Sequence, residues 1–390
     1  MDFKKYLTED VLDFWLSYAI DEKEGGIFTQ LERDGKIYGY EKSVWFQGRA
    51  LWTFSKAYNY IEKDCRYLDA ARKIYEFLPR CTDTDGRMFF TVTREGKPIQ
   101  KRRYYFSETF AAIGCAQYSL ASGDSGAWES AERYYETAYY CYTHPQTNAP
   151  KTNIAARAHS PVMIMIATSR SMAECAPSDE LRWKYSARAR EFTEYFLRGG
   201  FVNRELGALL ETVAPDGSFM DTPVGRQLNP GHALETAWFL MAEGLIENNT
   251  EALKTAKYII DVTMPRGLDR EHGGIISFAD VLGKPAGALE WDMKLWWGQN
   301  EAIIANRMAY EIFGEEKYKR DYEMLLDYAL THFRDEECGE WYGYLHYDST
   351  PSTDLKGNIF KGPFHLPRML MLLDKIDQGE MLSFFGARKT

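Results

Sequence analysis

Much of what would mark a secreted, membrane-embedded or nucleic-acid-binding protein is missing from this sequence. Six cysteines in 390 residues, at 65, 81, 115, 141, 175 and 338, make no C-x-x-C spacing. Several sit in apolar helical patterns such as Ile113-Gly114-Cys115-Ala116, where a thiol acts as a small hydrophobe. No window approaches about 18 uninterrupted apolar residues, and the opening MDFKKYLTEDVLDFW has no signal-type apolar stretch. The expectation is a reduced, cytoplasmic protein with no membrane partner. A basic stripe is also lacking: the formal net charge is -10, and Lys101-Arg102-Arg103 is the one short basic run, read as a solvated loop face. That argues against nucleic acid as a partner. No Pro/Ser-rich linker or shift in composition divides the chain, so residues 1–390 are expected to form one closed domain.

Several chemistries lack their motifs as well. There is no H-E-x-x-H and no His/Cys cluster with zinc spacing, so no metal is expected, and there is neither a P-loop nor a G-x-S-x-G nucleophile motif. Gly25-Gly26 and Gly273-Gly274 open hairpins and do not join a strand to a helix, which argues against a dinucleotide fold. What is present is apolar and aromatic: 45% hydrophobic residues, with ten Trp and 26 Tyr. Such a surplus fills a core or stacks on the apolar faces of sugar rings, and composition does not choose between the two.

Apolar spacing at i, i+3, i+4 and i+7 predicts about twelve helices. They fall near 2–20, 42–61, 66–81, 104–122, 125–143, 154–173, 178–198, 229–247, 250–265, 289–313, 315–333 and 364–376. Short links such as Ser122-Gly123-Asp124 and Ala176-Pro177 alternate with long ones that carry hairpin signals, for example Arg33-Asp34-Gly35 and Pro215-Asp216-Gly217. Three long links share an acidic-glycine opening, Asp21 to Gly26, Asp269 to Gly274 and Asp335 to Glu340. These lack the alternating oxygen ligands of a calcium loop and read as a repeated structural turn. Helices joined alternately by short and long links imply six hairpins of roughly 65 residues each, closed into an all-α (α/α)6 barrel with its long loops at one end.

The even-numbered helices each follow a long loop, so their first turns face that loop-rich mouth. The unusual polar residues fall there: Trp45 to Arg49, Phe106-Ser107-Glu108, His159, Asn229-Pro230-Gly231-His232 with Glu235, Trp296-Trp297 with Glu301, and Phe364-His365 with Arg368. Asn229-Pro230 reads as an N-cap followed by Pro at the first helical position. His232 then lies near the positive end of the helix dipole, which disfavours imidazolium and suits a general base. Glu235, three residues on, is placed to orient His232 or bind a hydroxyl. His365 sits in another first turn, and Arg368 is placed to bond a substrate oxygen.

The stretches V-W-F-Q-G-R (44–49), F-S-E (106–108), N-P-G-H-A-L-E (229–235), L-E-W-D-M-K-L-W-W (289–297), G-E-W-Y-G-Y-L (339–345) and F-K-G-P-F-H-L-P-R (360–368) resemble the N-acylglucosamine 2-epimerase family. The resemblance implies an (α/α)6 barrel, a homodimer, and interconversion of N-acetylglucosamine with N-acetylmannosamine. It makes His232 and His365 the acid/base pair, Arg49, Glu301 and Arg368 essential partners, and Trp296 or Trp297 ring-contacting aromatics. Glu108, His159 and Glu235 complete the substrate-binding set. No cofactor is implied as required, but ATP activates many members, and residues 96–103 lie where such a loop has been proposed. Cellobiose 2-epimerases and mannose-type isomerases of the same superfamily are the alternative. His159 looks more like a histidine of those branches, whereas F-H-L-P-R leans toward the N-acyl branch. A glycosidase with two carboxylates and a non-catalytic binding module are the more distant rivals.

Overall fold

The computed structural model describes residues 1–102, 104–145 and 155–386. Its helices are α1 (Phe3–Tyr6), a π-helical turn (Leu7–Leu12), α2 (Asp13–Tyr18), α3 (Val44–Tyr60), α4 (Cys65–Phe77), α5 (Phe106–Ser122), α6 (Ser125–Thr143), α7 (Ser160–Cys175) and α8 (Asp179–Arg198). They continue with the short α9 (Pro223–Arg226), then α10 (Pro230–Ile246), α11 (Thr250–Gly267), α12 (Trp296–Phe313), α13 (Glu316–His332) and α14 (His365–Asp377). A 3-10 turn, Met381–Phe385, follows α14. The twelve expected helices are all there, with α1, the π turn and α2 making the first.

Two starts differ most from expectation. Residue 154, where the sixth helix was expected to begin, lies outside the described residues, and α7 itself starts at Ser160. The stretch 289–295 imitates a helical period, yet Lys294–Leu295 forms a strand and α12 starts at Trp296. Strand pairing with Tyr344–Leu345, together with the pull of Asp269 on the Lys294 ammonium (2.7 Å), outweighs the local pattern. The four-residue α9 was not anticipated.

Helices α3, α5, α7, α10, α12 and α14 pack each on the next, and α14 returns to α3, closing an inner ring. Outside it, α4 backs α3, α6 backs α5, α8 backs α7, α11 backs α10 and α13 backs α12. The sixth pair is not a hairpin: α1 and the π turn, from the start of the chain, back α14 from its end. Trp341 Nε1 donates to the Tyr6 hydroxyl (2.7 Å), and the Glu340 amide donates to Asp10 (2.8 Å) across the same seam. Inner helices need small residues where they meet. A Cβ on Gly48 of α3 would come within 2.6 Å of the α5 backbone at Phe110.

Two-residue strands stitch the long loops at the mouth. Lys42–Ser43, just before α3, pairs with Thr91–Val92 of the next loop; Arg157–Ala158 pairs with Thr212–Val213, and Gln227–Leu228 with Ala279–Asp280. The three acidic-glycine turns are structural. Asp21, Asp269 and Asp335 each accept from backbone amides of their own turn and from a buried lysine, respectively Lys42 (2.9 Å), Lys294 (2.7 Å) and Lys356 (2.8 Å). Each carboxylate is paired with a lysine ammonium. Five residues after Lys42 and Lys294, Gln47 and Gln299 bond both the amide and the carbonyl of Ile27 and Ile275, with all four distances 2.8 Å. This locks the loop to the first turn of its inner helix.

Candidate active site

First turns of the inner helices surround a cavity of about 820 Å³ at the mouth. Of the residues singled out in the sequence, Arg49, His232, Glu235, Trp296, Trp297, His365 and Arg368 line it. Glu108, His159 and Glu301 do not. Glu108 is fully buried, bonded to Arg87 (2.6 Å) and to the Met88 amide (2.9 Å), where it ties a loop to α5. His159 is buried behind His232, and Glu301 is buried behind His365.

His232 is positioned as its sequence predicts: the Asn229 side chain accepts from the His232 amide (3.1 Å), with Pro230 opening the helix. Its orienting carboxylate is different. Glu235 turns away to Arg368 (2.5 Å), and Nδ1 of His232 instead faces Glu211 at 3.2 Å. Glu211 comes from the loop between the strands Ala208–Leu209 and Thr212–Val213, and no motif surrounds it to single it out. Its carboxylate also lies 3.5 Å from Nδ1 of His159, whose Nε2 is 3.3 Å from the Thr236 hydroxyl. Glu211 changes the electrostatics. Burial and the helix dipole oppose imidazolium, but the Glu211 carboxylate, helped by Glu235 and Glu301, raises the His232 pKa above its usual value. The dipole alone favours a neutral His232; with Glu211 beside it, the imidazolium persists to higher pH than in an ordinary histidine.

His365 has the opposite bias. Its Nδ1 is 2.7 Å from Glu301, yet burial and the cations of Arg368 and Arg49 hold its pKa well below the ordinary imidazole value. Glu301 also accepts from Arg368 (2.7 Å) and from Trp238 Nε1 (2.7 Å), so its charge is largely spent. Arg368, expected to bond a substrate oxygen, uses one nitrogen to bridge Glu235 and Glu301.

Trp297 stands between the two histidines, with ring centroids 5.1 Å from His232 and 5.9 Å from His365. Gly231 permits this, because a Cβ there would lie 2.6 Å from the indole. Arg49 stacks over Phe110 (4.1 Å) and Phe364 (5.2 Å) and bonds the Phe360 carbonyl at 3.4 Å. No ion pair within 4 Å engages it among the described residues, and burial lowers its pKa to about 10, which still leaves it cationic at neutral pH. Arg49 Nε and the indole N–H groups of Trp45, Trp52 and Trp296 are buried without a hydrogen-bond partner among the described residues. Unpaired donors around a cavity are costly unless a ligand or water meets them, and a polyol has the acceptors to do so.

Two groups of metal-ligand type occur among the described residues: His159 with Glu211 and His232, and Glu235 with Glu301 and His365. Arg368 already places its positive charge between the two carboxylates of the second group. In the first group, two imidazoles already flank the single carboxylate.

A family model described as N-acylglucosamine 2-epimerase (GlcNAc 2-epimerase) matches residues 26–361. The N-acylglucosamine 2-epimerase of Mus musculus is 33% identical over 376 residues, covering 94% of this chain and 89% of that protein. A cellobiose 2-epimerase of Eubacterium cellulosolvens is 25% identical, covering 94% and 96%. A D-mannose isomerase crystal structure superposes with a TM-score of 0.83 at 19% identity, covering 96% of this chain and 97% of that one, which establishes the helical barrel. With sequence agreement running nearly end to end, and strongest toward the N-acyl relatives, the chain belongs to the N-acylglucosamine 2-epimerase family and is a sugar 2-epimerase, an isomerase acting on carbohydrates.

Proposed function

We propose that this protein interconverts N-acetylglucosamine and N-acetylmannosamine by moving the C2 proton between His365 and His232. The observation that carries this reading is the pairing of two cavity-lining imidazoles, each anchored through Nδ1 to a carboxylate, flanking Trp297 with opposite protonation biases. In the ring-opened sugar the C1 aldehyde acidifies the C2 proton. Neutral His365 takes that proton, and the electrons of the C–H bond form the C1–C2 double bond of an enolate with its charge on O1. Arg49, which has no carboxylate partner among the described residues, stabilises that oxygen. Protonated His232 delivers its proton to the other face of C2, the aldehyde re-forms, and the configuration is inverted. The opposite direction exchanges the roles. Trp297 and Trp296 bound the space for the sugar, and Glu235, Glu301 and Arg368 hold His365 and its surroundings in register.

A two-carboxylate glycosidase is a poorer fit, because Glu235 and Glu301 accept from the same Arg368 nitrogen, leaving neither poised to donate a proton. The test is proton NMR with N-acetylmannosamine in D2O. Formation of N-acetylglucosamine carrying deuterium at C2 is the expected outcome. No conversion and no exchange overturns the N-acyl assignment and directs the assay to mannose, glucose and cellobiose.

On the family likeness alone, we further propose a cytoplasmic homodimer that needs no cofactor and is activated by ATP. The basic loop at residues 96–103 is the proposed nucleotide contact. There Lys101 is engaged by Asp83 and Asp85, both at 2.7 Å, and Arg103 lies outside the described residues. Light scattering of the purified protein tests the dimer. Assays with EDTA, and with and without ATP, test the rest.

A further inference from the structure

His232 presents one nitrogen to Glu211 and has one left for the cavity, and its side chain keeps 30% of its surface accessible. Behind it the same carboxylate meets a second imidazole that no sugar in the cavity reaches: His159 is fully buried and does not line the cavity. The Glu211 main chain is fixed to that histidine too, since the His159 amide donates to the Glu211 carbonyl (3.1 Å) beside the strand pair Ala158–Thr212.

We propose that Glu211 is the positioning residue of His232, fixing its ring through Nδ1 so that Nε2 meets C2 of the sugar, and that His159 acts behind it by packing its ring against the Glu211 carboxylate and fixing the Glu211 main chain.

The arrangement resembles an orienting carboxylate behind a catalytic imidazole, with a second imidazole added behind the carboxylate. With Nδ1–H directed at Glu211, the tautomer of His232 is set, and the imidazolium formed when it holds the C2 proton is stabilised. Burial holds the His159 pKa below its usual value, so it contributes a dipole and no competing full charge. Thr236 fixes the far side of that ring through its hydroxyl. The groups bearing on His232 are Glu211 from the loop, His159 ahead of α7, Glu235 on its own helix, Glu301 of α12 and His365 of α14. Of the three carboxylates, Glu235 and Glu301 are bridged by Arg368, and only Glu211 touches the His232 ring.

This proposal rests on the two-histidine reading, so its first test is independent of turnover. The C–H resonances of His232, assigned by their loss in His232→Asn, are titrated by NMR in wild type and in Glu211→Gln. The isosteric amide retains an acceptor but removes the charge, and the His232 midpoint is expected to fall by about one pH unit or more. An unmoved midpoint overturns the proposal whatever the substrate proves to be. In kinetics, Glu211→Gln should lower kcat by about tenfold or more with little change in KM, and move the alkaline limb of kcat/KM to lower pH. Glu211→Asp should recover part of the loss. His159→Asn should act in the same direction but more weakly, and should add little in the Glu211→Gln background. Losses that multiply in the double variant, or a His159→Asn effect confined to KM, would overturn the part given to His159.

Discussion

At the scale of single residues, the two histidines differ in what surrounds them more than in where they sit. Both occupy the first turn of an inner helix, and both use Nδ1 to meet a carboxylate. Among the described residues no guanidinium bonds Glu211, whereas Glu301 is shared with Arg368 and an indole. The consequence for pH can be worked out by sign. His365 must be neutral to act as base, and its lowered pKa keeps it so through mildly acidic conditions. His232 must be protonated to act as acid, and its raised pKa maintains that form to higher pH than in an ordinary histidine, until the solution passes it. For the epimer attacked by His365, kcat/KM should hold level through mildly acidic pH and fall on the alkaline side; a profile that rises through neutrality would contradict the assignment. His365→Ala and His232→Ala should each lower turnover by about a hundredfold or more with unchanged circular dichroism. Gly231→Ala, which drives a methyl group into Trp297, should impair turnover without removing any polar group, and an unaffected rate would show that the indole has room to move.

At the scale of elements, the loops depend on a repeated device of aspartate, lysine and glutamine. Asp21 and Lys42 are both fully buried, and Arg94 adds two further bonds to the same carboxylate at 2.8 Å. Replacing Asp21 with Ala leaves a buried ammonium unpaired, which costs about 3–5 kcal/mol. Urea denaturation should register that loss, and an effect under about 1 kcal/mol would mean that water reaches Lys42. Much of this level was legible beforehand. The turns were recognisable from acidic and glycine spacing, and Asn229-Pro230 announced the start of α10. The strand at Lys294–Leu295 was not, because 289–295 carries a helical period and only a partner some 50 residues away, at Tyr344–Leu345, reveals the strand. Glu211 was hidden for the same reason: it reaches His232 through a loop whose path depends on pairing with Arg157–Ala158. Conversely, Glu108 stood in a recognisable motif, but no local pattern reveals that a buried glutamate faces Arg87 and not the cavity.

At the scale of the whole molecule, the barrel is closed by the two ends of the chain. The face of the first helix bearing Phe3, Leu7, Val11 and Trp15 is buried, and α1 and the π turn pack on α14, which carries His365. Arg33 meets Asp335 through two bonds of 2.7 and 2.9 Å, and Leu31 bridges to Gly357, so the first and last long loops are joined as well. Deleting residues 1–18 should therefore abolish turnover and lower the melting temperature, although none of those residues lines the cavity. A truncated chain with wild-type activity would show that α14 stands without its outer partner.

That seam also sets an order of events during synthesis. The apolar face of α1 and the π turn is synthesised more than 340 residues before α14, the helix it packs on across the seam. At about 5–20 residues per second, the wait is on the order of tens of seconds. Until then Phe3, Leu7 and Val11 lack the cover that α14 gives them in the finished barrel. The acid/base pair cannot be assembled on a partly made chain, because one of its two members arrives with the helix that supplies that cover.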